Sequence, residues 1–218
     1  ARDSVNNMIL SWNTIKEELL PKLKEEFSKL SFAPQLVIIQ IGQNSASSVY
    51  INQKKKMGEL LGVKVLDVLL HSEITEEEVL EVIENFNNDE ETFGIIVQLP
   101  IPEILDKRKI LDFIKPEKDI DGLGSLQSGF LVTKNQKAFI PATAKGVLTI
   151  LDYYKIETEG KNVVVVGRSN LVGLPISISL INKDATVTVC HSYTQKLEEI
   201  TKKADILIVA CGKPKFIN

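Results

Sequence analysis

Short apolar segments alternate with amphipathic segments along almost the whole of this 218-residue chain. The apolar segments are rich in β-branched residues and have the length of buried strands. They are Gln35–Ile41, Val63–Leu69, Gly94–Leu99, Asn162–Val166, Ala185–Val189 and Asp205–Ala210. The segments with helical periodicity are Ser47–Leu61, Thr75–Asn85, Leu105–Phe113, Thr143–Tyr154, Gly173–Ile181 and Gln195–Lys202. This alternation predicts an α/β fold in which parallel sheets are covered by helices on both faces.

The segment 115–146 interrupts the alternation because it is rich in Gly, Pro, Asp and Ser. It is too long for a simple connection, so we expect an irregular segment that joins two αβ domains around a cleft. We predict a first domain over residues 1–140 and a second, Rossmann-like domain over residues 141–218. The amphipathic segment before Pro34 predicts one more helix, packed outside the first sheet. Ligands of open parallel sheets bind at the carboxyl ends of the strands, so residues that follow strands are the candidate site residues.

Composition argues against several kinds of partner and site. The formal net charge of −3 gives no electrostatic basis for binding nucleic acid. No apolar run is long enough to cross a bilayer, and the N-terminus lacks the core of a signal peptide. We therefore expect no membrane association and a cytoplasmic location, with an organellar matrix left open. The 2 histidines and 2 cysteines are too few for a metal site or a disulfide framework, and we predict no metal.

The sequence KNVVVVGRSNLVGLPIS, Lys161–Ser177, has the pattern of a strand, a turn and a helix. Gly167 suits a tight turn, Gly173 suits close packing of the helix on the strand, and the backbone N–H groups of such a turn can hold a phosphate. An ordinary structural turn would explain the two glycines about as well. The next strand ends without the acidic residue that NAD sites place there, whereas Arg168 and Ser192 suit the extra phosphate of NADP. The sequence therefore favours NADP over NAD.

The sequence SSVYINQKKKMGELLG begins soon after the first predicted strand. Tyr50 and Lys54 are four residues apart, so they share one helix face and can contact a common ligand. A lysine that is partly desolvated there has a lowered pKa and can serve in acid–base chemistry. Lys55 and Lys56 are expected to lie on a solvated face.

Polar side chains also follow a later strand and occupy the interrupting segment. Gln98 ends the strand in IIVQLPIP, where its amide needs a hydrogen-bond partner, either within the protein or in a ligand. Asp119 and Asp121 precede Gly122 in PEKDIDG. Paired Asp residues before Gly are typical of turns, but a carboxylate in a cleft could equally bind an amine-rich heterocycle. The absence of a G-x-S-x-G elbow and of a Cys–His pair argues against a nucleophilic hydrolase.

The motifs SSVYINQKKK, VQLPIP, PEKDIDGL, PATAKG, VVVVGRSNLVGLP and ATVTVCHS, taken in order, resemble the methylenetetrahydrofolate dehydrogenase/cyclohydrolase family. The resemblance runs from about Leu36 to Ile217. It implies a folate cleft between two α/β domains, NADP on the second domain and a homodimer. The implied activity is the NADP-dependent oxidation of 5,10-methylenetetrahydrofolate to the 5,10-methenyl compound. Hydrolysis to 10-formyltetrahydrofolate then follows, so tetrahydrofolate derivatives are the expected substrates.

The resemblance also implies roles for individual residues. Lys54 matches the essential lysine of the family, and Gln98 matches the glutamine that holds it and tunes its protonation. Tyr50 matches the aromatic residue that stacks on folate, and Asp121 matches the carboxylate that grips the pterin; these four are the predicted catalytic residues. The predicted folate contacts are Tyr50, Ile51, Asn52, Gln53, Lys54, Val97, Gln98, Leu99 and Asp121. The predicted NADP contacts are Thr143, Gly167, Arg168, Ser169, Gly173 and Ser192.

The chain departs from the family pattern at two places. PATAKG has Ala142 and Ala144 where the family has Cys and Pro, and family members continue beyond Asn218 with a glycine-rich loop and a final helix. The resemblance therefore implies a second domain that is truncated at its carboxyl end. Two alternatives stay open, a dehydrogenase-only relative that could use NAD and a catalytically silent folate- or nucleotide-binding domain. Lys54 and Asp121 favour an active enzyme, because a silent domain has no chemical need for them.

Overall fold

The structure, a computed structural model, describes residues 9–42, 45–213 and 215–217, without the side chains of residues 45–47. The strands are β1 (Gln35–Ile41), β2 (Lys64–Leu70), β3 (Thr92–Val97), β4 (Asn162–Val166), β5 (Thr186–Cys190) and β6 (Ile206–Val209). The helices are α1 (Trp12–Ser28), α2 (Ser45–Leu61), α3 (Glu76–Asn88), α4 (Lys107–Phe113), α5 (Ser125–Val132), α6 (Ala142–Tyr153), α7 (Gly173–Ile181) and α8 (Leu197–Thr201). Strands and helices alternate, which confirms the predicted α/β fold.

The six strands form two separate sheets of 3 parallel strands each. In the first sheet β1 lies between β2 and β3, and Val37 pairs with Leu66 on one side and Ile95 on the other. In the second sheet β4 lies between β5 and β6. Because the strands of each sheet are parallel, their carboxyl ends meet at one edge, where a ligand can bind.

The first sheet is buried on both faces by helices. Val37 of β1 packs with Ile83 of α3 and Ile110 of α4 on one face. Ile38, which points to the opposite face, packs with Ile51 of α2. These side chains are almost fully buried, which explains why the middle of β1, from Leu36 to Ile39, is apolar on both faces rather than alternating.

The second sheet is covered in the same way. Val165 of β4 packs with Leu148 of α6 and Ile176 of α7, and Val164 packs on the other face against Leu197 of α8. The four valines of β4 are therefore the centre of a second apolar core. Each sheet thus has its own core. The predicted division at residues 140 and 141 falls just before α6 and stays a prediction.

Helix α1 is the helix that the amphipathic segment before Pro34 predicts, and it contacts both αβ units. It packs against α2 and also against α6. The hydroxyl of Tyr154 accepts a hydrogen bond from the Ser11 backbone N–H at 2.9 Å, and the hydroxyl of Tyr153 bonds to the carboxylate of Glu18. The chain segment at α1 therefore links the helix that begins the second unit to the first unit.

The prediction that segment 115–146 is irregular is wrong in part, because the segment contains α5. This helix has 8 residues, and its buried side chains are Gln127 and Leu131. Gln127 donates to the Pro116 carbonyl at 2.6 Å and accepts from the Phe139 backbone N–H at 2.8 Å. A helix of two turns is too short to show a clear apolar period in the sequence, so α5 was not predicted. The hydrogen-bond partners of Gln127 lie outside the helix, so they could not be read from its local sequence.

Side-chain caps explain where two helices begin. Thr75 and Glu78 form the reciprocal capping box that the sequence TEEE indicates at the start of α3. The predicted helix from Leu105 starts two residues later instead, because the Asp106 carboxylate accepts hydrogen bonds from the N–H groups of Arg108 and Lys109. Helix α3 ends at Asn88, three residues beyond its predicted end. The other predicted ends agree with the structure to within about two residues, the usual uncertainty of helix and strand boundaries.

The turn after β4 requires its two glycines. Gly167 has a φ of +125°, and a Cβ built on it would lie 2.4 Å from the Ala210 carbonyl oxygen. A Cβ on Gly173 would lie 2.0 Å from the carbonyl oxygen of Gly167, because the first turn of α7 packs directly on the turn. The predicted structural roles of both glycines, a tight turn and close packing, are confirmed.

Substitution of Gly173 by alanine tests this close packing. We expect Gly173→Ala to lower the free energy of unfolding by about 2 kcal/mol or more, because the new methyl group would collide with backbone rather than with a movable side chain. Gly146→Ala in α6 is the matched control, since a Cβ there meets nothing within 4 Å. It should raise the free energy of unfolding by about 0.5–1 kcal/mol, as measured by urea denaturation. Equal stability of the two variants would contradict the packing.

Candidate functional site

The predicted catalytic side chains meet at the carboxyl edge of the first sheet. Lys54 of α2 donates from Nζ to Oε1 of Gln98 at 3.2 Å. Gln98 follows the last residue of β3, and its Nε2 donates to the Leu99 carbonyl at 3.1 Å. The Leu99 carbonyl therefore holds the amide of Gln98 so that the amide oxygen points toward Lys54. The hydrogen-bond partners expected for this amide lie within the protein.

Lys54 and Asp121 shift each other's protonation within this half-buried site. Burial lowers the pKa of Lys54 from its ordinary value of 10.5, and the negative charge of Asp121 offsets part of that lowering. Burial also raises the pKa of Asp121 from 3.8, and the positive charge of Lys54 offsets part of that rise. Both shifts favour the neutral forms, as expected when low-dielectric surroundings outweigh the attraction of the two charges. The site therefore holds a lysine that gives up its proton more easily than a lysine in water.

Tyr50 lies on the same helix face as Lys54 and presents its ring to solvent. Its side chain is 61% exposed, so the ring is free to stack on a flat ligand next to the lysine. Asn52 and Gln53, the next predicted folate contacts on α2, are also exposed. The middle of α2, next to Lys54, thus has exposed side chains at Tyr50, Asn52 and Gln53.

Two predicted folate contacts have side chains that a ligand does not reach in this structure. Ile51 and Val97 are both 1% exposed and pack in the two apolar clusters of the first sheet. The helix period and the strand alternation turn both side chains toward the core, so a contact of Ile51 or Val97 with folate would be made by backbone atoms, and both contacts stay predictions. Leu99 is half-buried at the site's edge and packs partly on the same core.

The two aspartates of PEKDIDG differ in their surroundings. The sequence leaves open whether they are turn residues or carboxylates that bind a ligand in a cleft. Asp119 is 2% exposed, and its carboxylate accepts hydrogen bonds from the backbone N–H groups of Gly122, Leu123 and Gly124, at 3.0, 3.4 and 2.8 Å. Asp119 therefore has the turn chemistry. Asp121 lies toward Lys54 and is the carboxylate available to the cleft.

The expectation that Lys55 lies on a solvated face is wrong. Its Nζ forms a salt bridge with Oδ2 of Asp67 at 2.6 Å, and Gln40 donates to the other carboxylate oxygen. This bond joins α2 to β1 and β2 next to Lys54. The sequence signal that could have revealed it is the single acid in the strand KVLDVLL. Lys56 is exposed, as predicted.

The predicted cofactor residues surround the turn after β4. The Gly167 N–H donates to the Cys190 carbonyl at 2.8 Å, so the carboxyl ends of β4 and β5 are adjacent. Arg168 follows β4, Ser192 follows β5, and both residues are exposed. Gly167 is half-buried and Gly173 is buried, so the exposed groups at this edge are side chains. A cation and a hydroxyl are donors that fit an anionic dinucleotide.

Two other predicted cofactor contacts, Ser169 and Thr143, are exposed. Ser169 is exposed, and its hydroxyl accepts a hydrogen bond from the Val172 N–H at 3.2 Å, which closes the turn before α7. Thr143 is exposed in the first turn of α6. Neither position was distinguishable from an ordinary surface residue by sequence spacing alone.

Some kinds of site are absent from the part of the chain that the structure describes. There, no three His, Cys, Asp or Glu side chains come together as metal ligands. Cys190 is buried and Cys211 is half-buried, and both are free thiols. Over the same residues, no helix is both long and apolar enough to cross a bilayer.

The coupling of Lys54 and Asp121 predicts reciprocal pKa changes. Asp121→Asn should lower the pKa of Lys54 further, because the negative charge that favours the ammonium is lost. Lys54→Met should raise the pKa of Asp121 further, because the stabilising positive charge is lost. Titration of the Lys54 Cε and Asp121 Cγ resonances by ¹³C NMR measures both. The exposed Glu73, changed to Gln, is the control and should leave the pKa of Lys54 unaltered. A shift of opposite sign in either variant would refute the coupling.

The sequence matches two family models over most of its length. Residues 10–121 match the catalytic domain of tetrahydrofolate dehydrogenase/cyclohydrolase, and residues 141–218 match its NAD(P)-binding domain. Among curated relatives, the bifunctional protein FolD of Agathobacter rectalis is 43% identical over 213 residues, which is 96% of this chain and 76% of that protein. The FolD protein of Bacillus subtilis is 42% identical over 203 residues, 93% of this chain and 71% of that protein.

Solved structures of similar sequence have the same fold. The bifunctional FolD methylenetetrahydrofolate dehydrogenase/cyclohydrolase of Campylobacter jejuni superposes with a TM-score of 0.91 at 37% identity, over 94% of this chain and 74% of that one. The Trypanosoma brucei enzyme, solved with NADP and an inhibitor, gives a TM-score of 0.86 at 33% identity, over 92% and 70% of the two chains. Sequence motifs, family models and fold agree, and the chain belongs to the tetrahydrofolate dehydrogenase/cyclohydrolase family.

Proposed function

We propose that this chain oxidises 5,10-methylenetetrahydrofolate with NADP and hydrolyses the 5,10-methenyl product to 10-formyltetrahydrofolate. The observation that carries the proposal is the hydrogen bond from Lys54 to Gln98 beside the half-buried carboxylate of Asp121. Such a set manages protons, which the hydrolysis needs and a simple hydride transfer does not. The names of the similar C. jejuni and T. brucei enzymes support the same two activities.

The turn after β4 is the proposed NADP site. When bound, NADP accepts a hydride from the methylene carbon of the folate. The proposed contacts are Thr143, Gly167, Arg168, Ser169, Gly173 and Ser192. The guanidinium of Arg168 and the hydroxyl of Ser192 would bind the 2′-phosphate, since both are exposed donors at one edge of the second sheet. Backbone N–H groups at the start of α7 would bind the pyrophosphate.

The edge of the first sheet is the proposed folate site. The exposed ring of Tyr50 would stack on the folate, and the carboxylate of Asp121 would accept hydrogen bonds from the pterin. Asn52, Gln53 and Leu99 border these groups, while Ile51 and Val97 can contribute only backbone atoms. Such contacts fix the distance between the methylene carbon and the hydride acceptor, and positioning of this kind supplies most of what a hydride transfer needs.

Lys54 is the proposed acid–base group of the hydrolysis. The methenyl substrate is a cation, so a lysine that readily becomes neutral avoids charge repulsion beside it. The neutral amine takes a proton from water as the water oxygen bonds to the methenyl carbon. It returns the proton to N5 as the bond from N5 to that carbon breaks. The hydroxyl proton of the adduct is released to solvent as the formyl group forms on N10, so the positive charge of the methenyl cation leaves as that proton. Gln98 would hold the amine in place through these steps.

A second copy of the chain is the remaining proposed partner. The homodimer follows from the family resemblance and stays a prediction. The assignment of residues 1–140 to folate binding and of residues 141–218 to NADP binding is likewise proposed. The match of residues 10–121 to the catalytic domain of tetrahydrofolate dehydrogenase/cyclohydrolase supports a folate derivative as the substrate.

Replacement of Lys54 tests the hydrolysis step. Lys54→Met should lower the rate of methenyltetrahydrofolate hydrolysis by about a hundredfold or more, because the amine that takes the proton from water is lost. The absorbance of the methenyl compound measures this rate directly. Lys56→Met is the matched control, since Lys56 is exposed on the same helix, and it should keep full activity. Unchanged hydrolysis by Lys54→Met would refute the role of Lys54.

Replacement of Arg168 tests the cofactor assignment. Arg168→Ala should raise the KM for NADP by about tenfold or more, because a charge-assisted hydrogen bond to the 2′-phosphate is lost. The KM for NAD, which lacks that phosphate, should change by less than about twofold. Lys202→Ala, which removes an exposed cation after α8, is the control. The assay follows reduction of each cofactor with methylenetetrahydrofolate, and an equal effect on both cofactors would mean that Arg168 does not bind the phosphate.

A further inference from the structure

Asp121 lacks side-chain support within the described residues, although it is the carboxylate proposed to bind the pterin. Its interaction with the protein there is the charge attraction of Lys54, and no hydrogen bond holds its carboxylate. A carboxylate in such a position is oriented by its backbone rather than by its neighbours. The direction of the Asp121 carboxylate therefore depends on the backbone on either side of Asp121.

The residues before Asp121 are fixed to the first sheet. The Ile95 N–H of β3 donates to the Lys118 carbonyl at 2.8 Å, and Lys118 Nζ donates to the Phe86 and Asp89 carbonyls at 2.9 and 2.7 Å. The side chain of Ile120 packs on Gly94, where an added Cβ would lie 2.8 Å from its Cδ1. The chain therefore enters position 121 along a fixed edge of β3.

The residues after Asp121 are fixed by Asp119. Its carboxylate is 2% exposed and accepts from three successive backbone N–H groups, those of Gly122, Leu123 and Gly124. The loop thus turns around the Asp119 side chain, and Asp121 projects from the loop toward Lys54. Burial raises the pKa of Asp119, and the three N–H bonds oppose that rise by stabilising the carboxylate.

We infer that Asp119 is a positioning residue for the folate site, which holds the loop so that Asp121 faces the pterin. This inference rests on the proposed function, because it requires Asp121 to bind substrate. Asp119 itself does not touch the substrate, since it is buried and its two carboxylate oxygens are occupied by backbone N–H groups. A displacement of this loop would move the Asp121 carboxylate away from the pterin. It would not change the turn after β4, which belongs to the other sheet.

Substitution of Asp119 separates positioning from a merely structural role. Asp119→Ala should raise the KM for methylenetetrahydrofolate by about tenfold, because a small displacement of a binding group weakens its hydrogen bonds strongly. The KM for NADP should stay within about twofold of the unmodified chain. Asp119→Asn keeps the shape and one acceptor oxygen but places an NH₂ group against a backbone N–H, so it should show a smaller rise in KM than Asp119→Ala.

Asn87→Ala is the matched control for loss of a buried loop anchor. Asn87 is 3% exposed, donates to the Phe113 carbonyl at 2.8 Å and accepts from the Lys115 N–H at 2.9 Å. It therefore holds the chain before Asp119 and, among the residues that the structure describes, forms no hydrogen bond with those that follow Asp121. It should lose stability in urea denaturation as Asp119→Ala does, but keep the KM for folate. Equal KM values in Asp119→Asn, Asp119→Ala and the unmodified chain would overturn the inference, and so would an equal rise in Asn87→Ala.

Asp121→Asn, measured in parallel, keeps this test distinct from the proposed function. If Asp121→Asn leaves the KM for folate unchanged, the assignment of Asp121 to the pterin fails and the positioning inference falls with it. If Asp121→Asn raises the KM but neither Asp119 variant does, only the positioning inference fails. A rise in both, with the smaller effect in Asp119→Asn, is the expected result. Should Asp119→Ala not fold, the near-isosteric Asp119→Asn decides.

Discussion

The packing of Ile51 on Ile38 and Ile96 fixes the helix on which the candidate chemistry depends. These three side chains form the apolar cluster between α2 and the first sheet, and each is at most 5% exposed. Partly buried apolar residues pack around them. With Ile51 in the core, the helix period turns Lys54 toward the end of β3 and leaves Tyr50 outside. The burial that stabilises the helix also removes water from around Lys54, which is why its pKa falls.

A second constraint, backbone contact, shapes the other sheet. The carbonyl of Gly167 occupies the place where a side chain on residue 173 would stand, and the Ala210 carbonyl does the same for residue 167. These contacts leave no room for a side chain at either position, and Arg168 and Ser192 are the exposed polar side chains beside the turn. The candidate site on the first sheet thus depends on partly buried charges, whereas the candidate site on the second sheet depends on a closely packed turn with exposed polar residues next to it.

Helices α1 and α5 connect these two sheets without belonging to either core. Glu18 of α1 bonds to Tyr153, and Ser11, just before α1, bonds to Tyr154 at the end of α6. Helix α5 packs on α7. The loop of Asp119 lies just before α5, so the carboxylate site of the first unit and the helix that touches the second unit are adjacent in the chain. Asp119 and Gln127 hold this connection by hydrogen bonds to backbone.

Local sequence determined the elements, because strand composition, helical period and caps are properties of neighbouring residues. The valine run of β4, the Thr75 capping box and the two turn glycines are all of this kind. The family motifs also identified Lys54 and Gln98 as a pair before any distance was known. A short helix such as α5 was missed because two turns carry little periodic signal.

Composition and spacing treat neighbouring residues of one type alike, and the family resemblance singled out Asp121 without showing its surroundings. Tertiary structure decided what each of these residues contacts. Spacing could not tell Asp119 from Asp121, yet one carboxylate is enclosed by backbone N–H groups and the other faces Lys54. Likewise Lys55 differs from Lys56 only because Asp67, on a neighbouring strand, lies within reach. The sequence by itself thus determined the α/β fold, the family and the two strand edges that carry the candidate sites. Burial and charge pairing arise between residues distant in the chain, so only the folded structure decided the partners and protonation of each side chain.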